Sequence, residues 1–185
     1  MIRSVILIAA AIQLSQPKMP ARTALTYATV VQQEAKKRNF DPFTLVAIIH
    51  KESWWDAGAI SPSGNDLGLA QIRFRFLGPC RNDPDPVHSP SPACQALKSS
   101  LLDPIYNIRF AAQHITGSRE FCAKKVGKVT EHGWLSAWQG TQQRGKWCQK
   151  NNHTISRLKY RDKLARMAAR GQLHLRNREV SERGR

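Results

Sequence analysis

The chain has 185 residues, 41% of them hydrophobic, five Trp and a formal net charge of +16. That length supports one sizeable core and argues against two independent domains, while the charge calls for a polyanionic partner or neighbourhood. No apolar stretch approaches the ~20 residues that a bilayer-spanning helix needs.

In chain order, Arg3 precedes the apolar run Val5 to Ile12, and Gln13, Ser15 and Gln16 then lead to Pro17 and Pro20. Charge, short apolar run and helix breakers in that order predict an export signal and short linker over residues 1–21, with a short buried helix as the competing reading. Ala9 and Ala11 have the small-x-small pattern of a cleavage site but lie inside the run, so the cleavage point stays open. Export would place the protein in the periplasm or cell envelope. Ala24, Tyr27, Val30, Val31 and Ala35 recur at helical spacing and predict a helix over about Arg22 to Arg38, stopped by Asn39.

The next helix carries the chemistry. Asp41 and Pro42 form a cap-plus-proline start, and Leu45, Ile48, Ile49 and Glu52 follow at i, i+3, i+4 and i+7. Glu52 thus lies on the apolar stripe of the most apolar predicted helix. A carboxylate there must be desolvated, paired or protonated, and desolvation raises its pKa toward what a general acid requires near neutral pH. The plainer alternative ends the helix at Lys51 and points Glu52 to water.

From Asp56 to Leu67, Gly58, Ser61, Pro62, Ser63, Gly64, Asn65 and Asp66 predict a loop, with room for two-residue strand pairings. Gly68 to Phe74 is read as a short helix. Pro79 to Pro92 holds five of the ten prolines and reads as an irregular, Pro-rich insertion. Asp103 and Pro104 repeat the helix start, for a helix to about Thr116; others are expected near His132 to Gln139 and from His153 onward. The fold class is mainly α, as a single domain.

Cys80, Cys94, Cys122 and Cys148 make an even count without Cys-x-x-Cys spacing, which favours disulfides over a metal or redox site. Three connectivities are open; sequential pairing closes the shortest loops. From Ser156 to Arg185 there are ten Lys or Arg and three acids. Leu158, Leu164, Met167 and Ala168 among them predict a short basic amphipathic helix over Ile155 to Ala169, fraying beyond Gly171. The arm lacks interleaved aromatics for base stacking, so nucleic acid is disfavoured, and an anionic envelope polymer or membrane surface suits it better. A solvated tail without a dedicated partner is the plainer reading, and oligomeric state is not indicated.

Leu45 through Glu52-Ser53, then Ser61, then Gly68-Leu69-Ala70-Gln71-Ile72, then Asp103-Pro104 with Asn107-Ile108, then Ala137-Trp138-Gln139-Gly140 resemble in order and spacing the soluble lytic transglycosylase (SLT) family, which shares the goose-type lysozyme architecture. Each piece alone is a weak signal; the ordered set, spanning roughly Ala24 to Trp147, is specific. The resemblance implies a lysozyme-like domain over 22–153, with a basic helix and tail over 154–185. It implies that Glu52 is the catalytic acid and that Ser53 fixes the local turn beside substrate. Ser61 and Gln71 are implied to line the cleft, as are Trp138 and Gln139, which replace the usual Tyr-Asn pair. Ala70 replaces a Met, His114 stands where a Tyr is typical, and one extra residue lies between Ser61 and Gln71; these departures bear on the subsite floor, not on the acid. Trp55 and Trp134 are expected in the core, Trp138 at the cleft, and Trp54 in either place.

The implied substrate is peptidoglycan and the implied reaction needs neither metal nor organic cofactor. Two-carboxylate glycosidases pair an acid with a base or nucleophile, whereas the N-acetyl group of N-acetylmuramic acid can assist the departure itself, so that one Glu suffices. The family implies that route, ending in a 1,6-anhydro ring. Two alternatives stay open: a hydrolytic muramidase with Asp56 or Asp66 as second carboxylate, and a non-catalytic wall-binding module.

Overall fold

The computed structural model describes residues 2–140 and 147–183, with side chains described over 4–140 and 147–171. Among these residues the fold is mainly α, and no described helix is long and apolar enough to cross a membrane. The apolar run near the N-terminus forms α1 (Ile2–Ser15), whose Ile8, Ala11 and Ile12 are buried in the common core. It packs on α2 (Ala21–Arg38), on α3 (Pro42–Ser53) and on the C-terminal helix α7 (Asn152–Arg183). Two polar ties hold it there: Trp55 Nε1 donates to Ser15 Oγ at 2.8 Å and Gln16 Nε2 donates to the Trp54 carbonyl at 2.9 Å. The packed body therefore draws on both sides of residues 22–153.

The helix boundaries follow their chemistry. Asn39 closes α2 in the left-handed conformation (φ 52°), and Asp41 caps α3 by accepting from the Phe43 amide at 2.9 Å. Trp54 ends α3 with a left-handed turn (φ 55°) and stays exposed, while Trp55 is buried and stacks on Tyr27 at 6.0 Å.

Gly68 to Phe74 is not a helix. It is the turn and second arm of a small antiparallel hairpin, β1 (Asp66–Leu67) with β2 (Ile72–Arg73), followed by a 3-10 turn over Phe74–Phe76. Two left-handed residues in the turn exclude a helix: Gly68 (φ 72°) and Gln71 (φ 47°). Gly68 is irreplaceable on space as well, since a Cβ there would overlap the Leu101 carbonyl oxygen and the Asn107 amide.

Residues 81–91 form no helix or strand. A helix absent from the sequence reading, α4 (Pro92–Leu102), begins at the last proline of that stretch, with Ser91 as its cap. Pro at the first turn starts a helix as readily as Pro elsewhere breaks one. The Cys80–Cys94 disulfide (Cα–Cα 4.7 Å) ties α4 to the segment before the loop; its 14-residue separation would stabilise the fold by about 3 kcal/mol on chain-entropy grounds.

Next, α5 (Pro104–Val126) runs ten residues past the expected end at Thr116, stopping only at Gly127 (φ 66°). It is long because Ser118 and Cys122 continue its buried face. Cys122 pairs with Cys148 (Cα–Cα 5.7 Å), completing the sequential connectivity, and α6 (Glu131–Trp138) lies between them in the chain. α7 continues beyond Gly171 to Arg183 rather than fraying there, and the tail's side chains past Gly171 lie outside the described residues. Its first half is core: Thr154, Leu158, Leu164 and Ala168 are buried.

Candidate active-site cleft

Glu52 owes its position to α3. Leu45, Ile48 and Ile49 are wholly buried on the stripe that leads to it, so the helix is fixed in rotation, and Glu52 emerges in the last turn with 21% of its side chain exposed. It opens into a cleft of about 580 Å³. Burial pushes its carboxyl above the ordinary carboxylate range, and the charge of Asp66 adds to the rise; the charge and hydrogen bond of Arg157, and more weakly His153, pull the other way. The negative end of the α3 dipole also disfavours a charge at that spot.

One wall of the cleft is the hairpin. Asn107, fully buried on α5, organises it: Oδ1 accepts from the Ala70 amide at 2.8 Å, and Nδ2 donates to the carbonyls of Leu67 at 3.0 Å and Leu101 at 2.8 Å. Ser53 Oγ donates to the Leu69 carbonyl at 2.7 Å, joining the end of α3 to the same turn. Gln71 lines the cleft, its carboxamide nitrogen donating to the carbonyls of Ala59 and Gly68 at 3.0 Å each. Asp66 also faces the cleft, gripped at both oxygens by Arg73 at 2.8 and 3.2 Å.

The other wall comes from α6 and α7. Trp138 is 9% exposed and lines the cleft with His114, its ring 6.0 Å away, and with Gln139. Arg157 reaches in from α7 to pair with Glu52, its side chain only 12% exposed. The Gln139 carboxamide lies against the same guanidinium, and with its oxygen turned toward Arg157 it accepts from Nη2 at 3.0 Å.

Of the residues the sequence points to, Glu52, Gln71, Trp138 and Gln139 meet at this cleft. Ser53 and Ser61 are not among its lining residues. Ser53 serves the α3–hairpin joint, and Ser61 Oγ accepts from the Asp66 amide at 3.0 Å beside Ser63. Asp56 is likewise turned elsewhere, accepting from the Gly58 amide in an exposed turn, so Asp66 is the second carboxylate of the cleft.

Arg157 has no counterpart in the sequence reading, because a basic helix reads as a solvated surface. A signal was present. Thr154, Arg157, Leu158, Arg161, Leu164 and Ala168 share one helical stripe, the same placement of charge among apolar positions that marks Glu52. Both arginines on it are largely buried: Arg161 pairs with Glu131 at 2.6 Å, Asp162 at 2.7 Å and Asp41 at 3.7 Å.

Residues 29–154 match the family described as Transglycosylase SLT domain, more than half of the chain. Comparisons with curated proteins and with solved structures found no match. With its helical body, its hairpin and its cleft, the chain belongs to the transglycosylase SLT domain family, whose lysozyme-like members act on peptidoglycan.

Proposed function

We propose that the protein is a lytic transglycosylase that cleaves the β-1,4 bond from N-acetylmuramic acid to N-acetylglucosamine, with Glu52 as its single acid and base. Protonated Glu52 gives its proton to the glycosidic oxygen as the bond to muramoyl C1 breaks, and the N-acetyl oxygen closes on C1 in its place. The glucosamine side leaves as the free alcohol. Glu52, now a carboxylate, takes the proton of the muramoyl C6 hydroxyl, O6 displaces the acetamido oxygen at C1, and a 1,6-anhydro end forms with no water consumed. Glu52 ends as it began, protonated.

The observation that carries this reading is the desolvated Glu52 carboxyl, kept above the ordinary range at the end of α3 and facing a cleft walled by Trp138, Gln71 and Gln139. Gln71 and Gln139 position the sugars and Trp138 offers a face to a ring. A hydrolytic route through Asp66 is the second reading, since Asp66 shares the cleft; its two hydrogen bonds to Arg73 commit it to a structural pair and speak for the anhydro route. Work in the cell envelope, outside the reducing cytoplasm, suits a chain with two disulfides.

Mass spectrometry of digested, purified cell wall tests the proposal. Anhydro-muramoyl ends are expected from the wild type, and Glu52→Gln should keep the fold while losing turnover on the order of 10³-fold. Free reducing ends would move the assignment to Asp66, and an unimpaired Glu52→Gln would remove it from Glu52.

A further inference from the structure

Charge conservation in the cleft leads beyond the acid itself. Glu52 and Asp66 are the acids among the described lining residues, and Asp66 is held at both oxygens by Arg73. Among the described residues Arg157 is therefore balanced by Glu52 alone, with the neutral Gln139 amide beside it. The proposed reaction begins with Glu52 protonated, and at that point a guanidinium with 12% of its side chain exposed loses its counter-charge. A largely buried cation without a partner is costly. His114 and His153, the other ionisable groups of the lining, offer no negative charge in any state. Among the described lining residues no other group can supply the anion, which leaves the ligand as its source.

The substrate has one to give. Muramic acid differs from glucosamine by a lactyl ether that ends in a carboxyl, free when the peptide stem has been removed and otherwise carried onward to the carboxylates of the stem. We infer that Arg157 is a substrate-recognition residue that exchanges the Glu52 carboxylate for a carboxylate on the muramoyl unit, favouring anionic glycan and freeing Glu52 in the same movement. The guanidinium fork suits a carboxylate, and Gln139 keeps an anchor on it during the exchange. Arg157 lies beyond the family match at residues 29–154, on the basic helix α7. The inference rests on the transglycosylase reading for the state of Glu52, yet it can be tested apart from turnover.

Glu52→Gln reproduces the protonated acid and leaves the ligand intact, so binding can be measured by calorimetry on that variant. The ligands are glycan oligosaccharides stripped of peptide with free lactyl carboxylates, the same strands with those groups converted to methylamides, and peptide-bearing strands with free or methyl-esterified stem carboxylates. Neutralising the lactyl group is expected to weaken binding on the order of tenfold. In Glu52→Gln/Arg157→Gln that difference should shrink to about twofold or less, and Glu52→Gln/Arg157→Lys, which keeps the charge and guards against a folding defect, should retain part of it. A loss seen only on esterifying the stem would assign the recognised carboxylate to the peptide. Equal discrimination with and without Arg157, or none in Glu52→Gln, would overturn the inference even if wild-type protein makes anhydro ends. Arg157-dependent discrimination without any cleavage by the wild type would instead overturn the enzymatic reading.

Discussion

The two walls of the cleft are built from opposite materials. The hairpin wall is held from within by neutral hydrogen bonds converging on a fully buried Asn107, with Ser53 tying in the end of α3, and its ion pair, Asp66 with Arg73, lies at the exposed edge. The facing wall is held by charge: Arg157 on Glu52, and Arg161 on Asp41, Glu131 and Asp162. The first falls inside the family match, whereas Arg157 and Arg161 lie beyond it. The neutral network acts as a fixed frame, insensitive to pH, while the charged wall can respond to pH, salt and an incoming anion.

The largest effect should come from breaking the frame. Asn107→Leu would leave the Ala70 amide and the Leu67 and Leu101 carbonyls without their partner in the core. At roughly 1–3 kcal/mol for each stranded group, a loss of at least ~3 kcal/mol is expected in urea unfolding, equal at acid and neutral pH. A loss under ~1 kcal/mol would mean that the hairpin holds its own shape. By the same contrast, Arg157→Gln should leave the frame intact and alter the titration of the site. Burial raises the Glu52 carboxyl and Arg157 partly reverses that rise. Without Arg157 the acid form persists to higher pH, so the alkaline limb of kcat/KM should move upward; a limb that stays put would separate Arg157 from the acid in solution.

The contrast also explains what could be read from the sequence. Caps and periodicity depend on near neighbours, and there the reading is close: Asp41 and Pro42 start α3, Asn39 stops α2, and Asp103 caps α5 through the Tyr106 amide. Glu52 stood out because its charge interrupts an apolar stripe. What escaped notice depends on distant partners. Gly68 to Phe74 has helix-compatible residues, but Asn107, 37 positions from Ala70, pulls it into a hairpin. Ser61 sits at a motif position, yet its hydroxyl is engaged by the Asp66 amide and Ser63 within its own loop. The basic segment was legible as an amphipathic helix from Leu158, Leu164 and Ala168, but its charge suggested a solvated surface, whereas its buried stripe makes it one wall of the cleft.

The smallest expected effect concerns the joint beneath that wall. His50 is 4% exposed, one α3 residue pair before Glu52, with the Tyr160 ring stacked at 4.4 Å and the Trp54 ring tilted at 4.4 Å. Burial, and secondarily the charge of Lys51, hold its pKa below the ordinary 6.5. For a base whose folded pKa is depressed, the unfolded chain takes up the proton first. The stability is thus present above pH 6.5 and is lost as pH falls through the folded value. The loss should loosen the contact between α3 and α7 and spare the hairpin. His50→Phe keeps a ring of similar shape that cannot be charged, so in thermal melts its stability should fall less steeply than the wild type's between about pH 7 and 5. Parallel slopes for the two proteins would show that His50 is solvated enough to titrate normally, and that the acid sensitivity of this wall lies in its ion pairs alone.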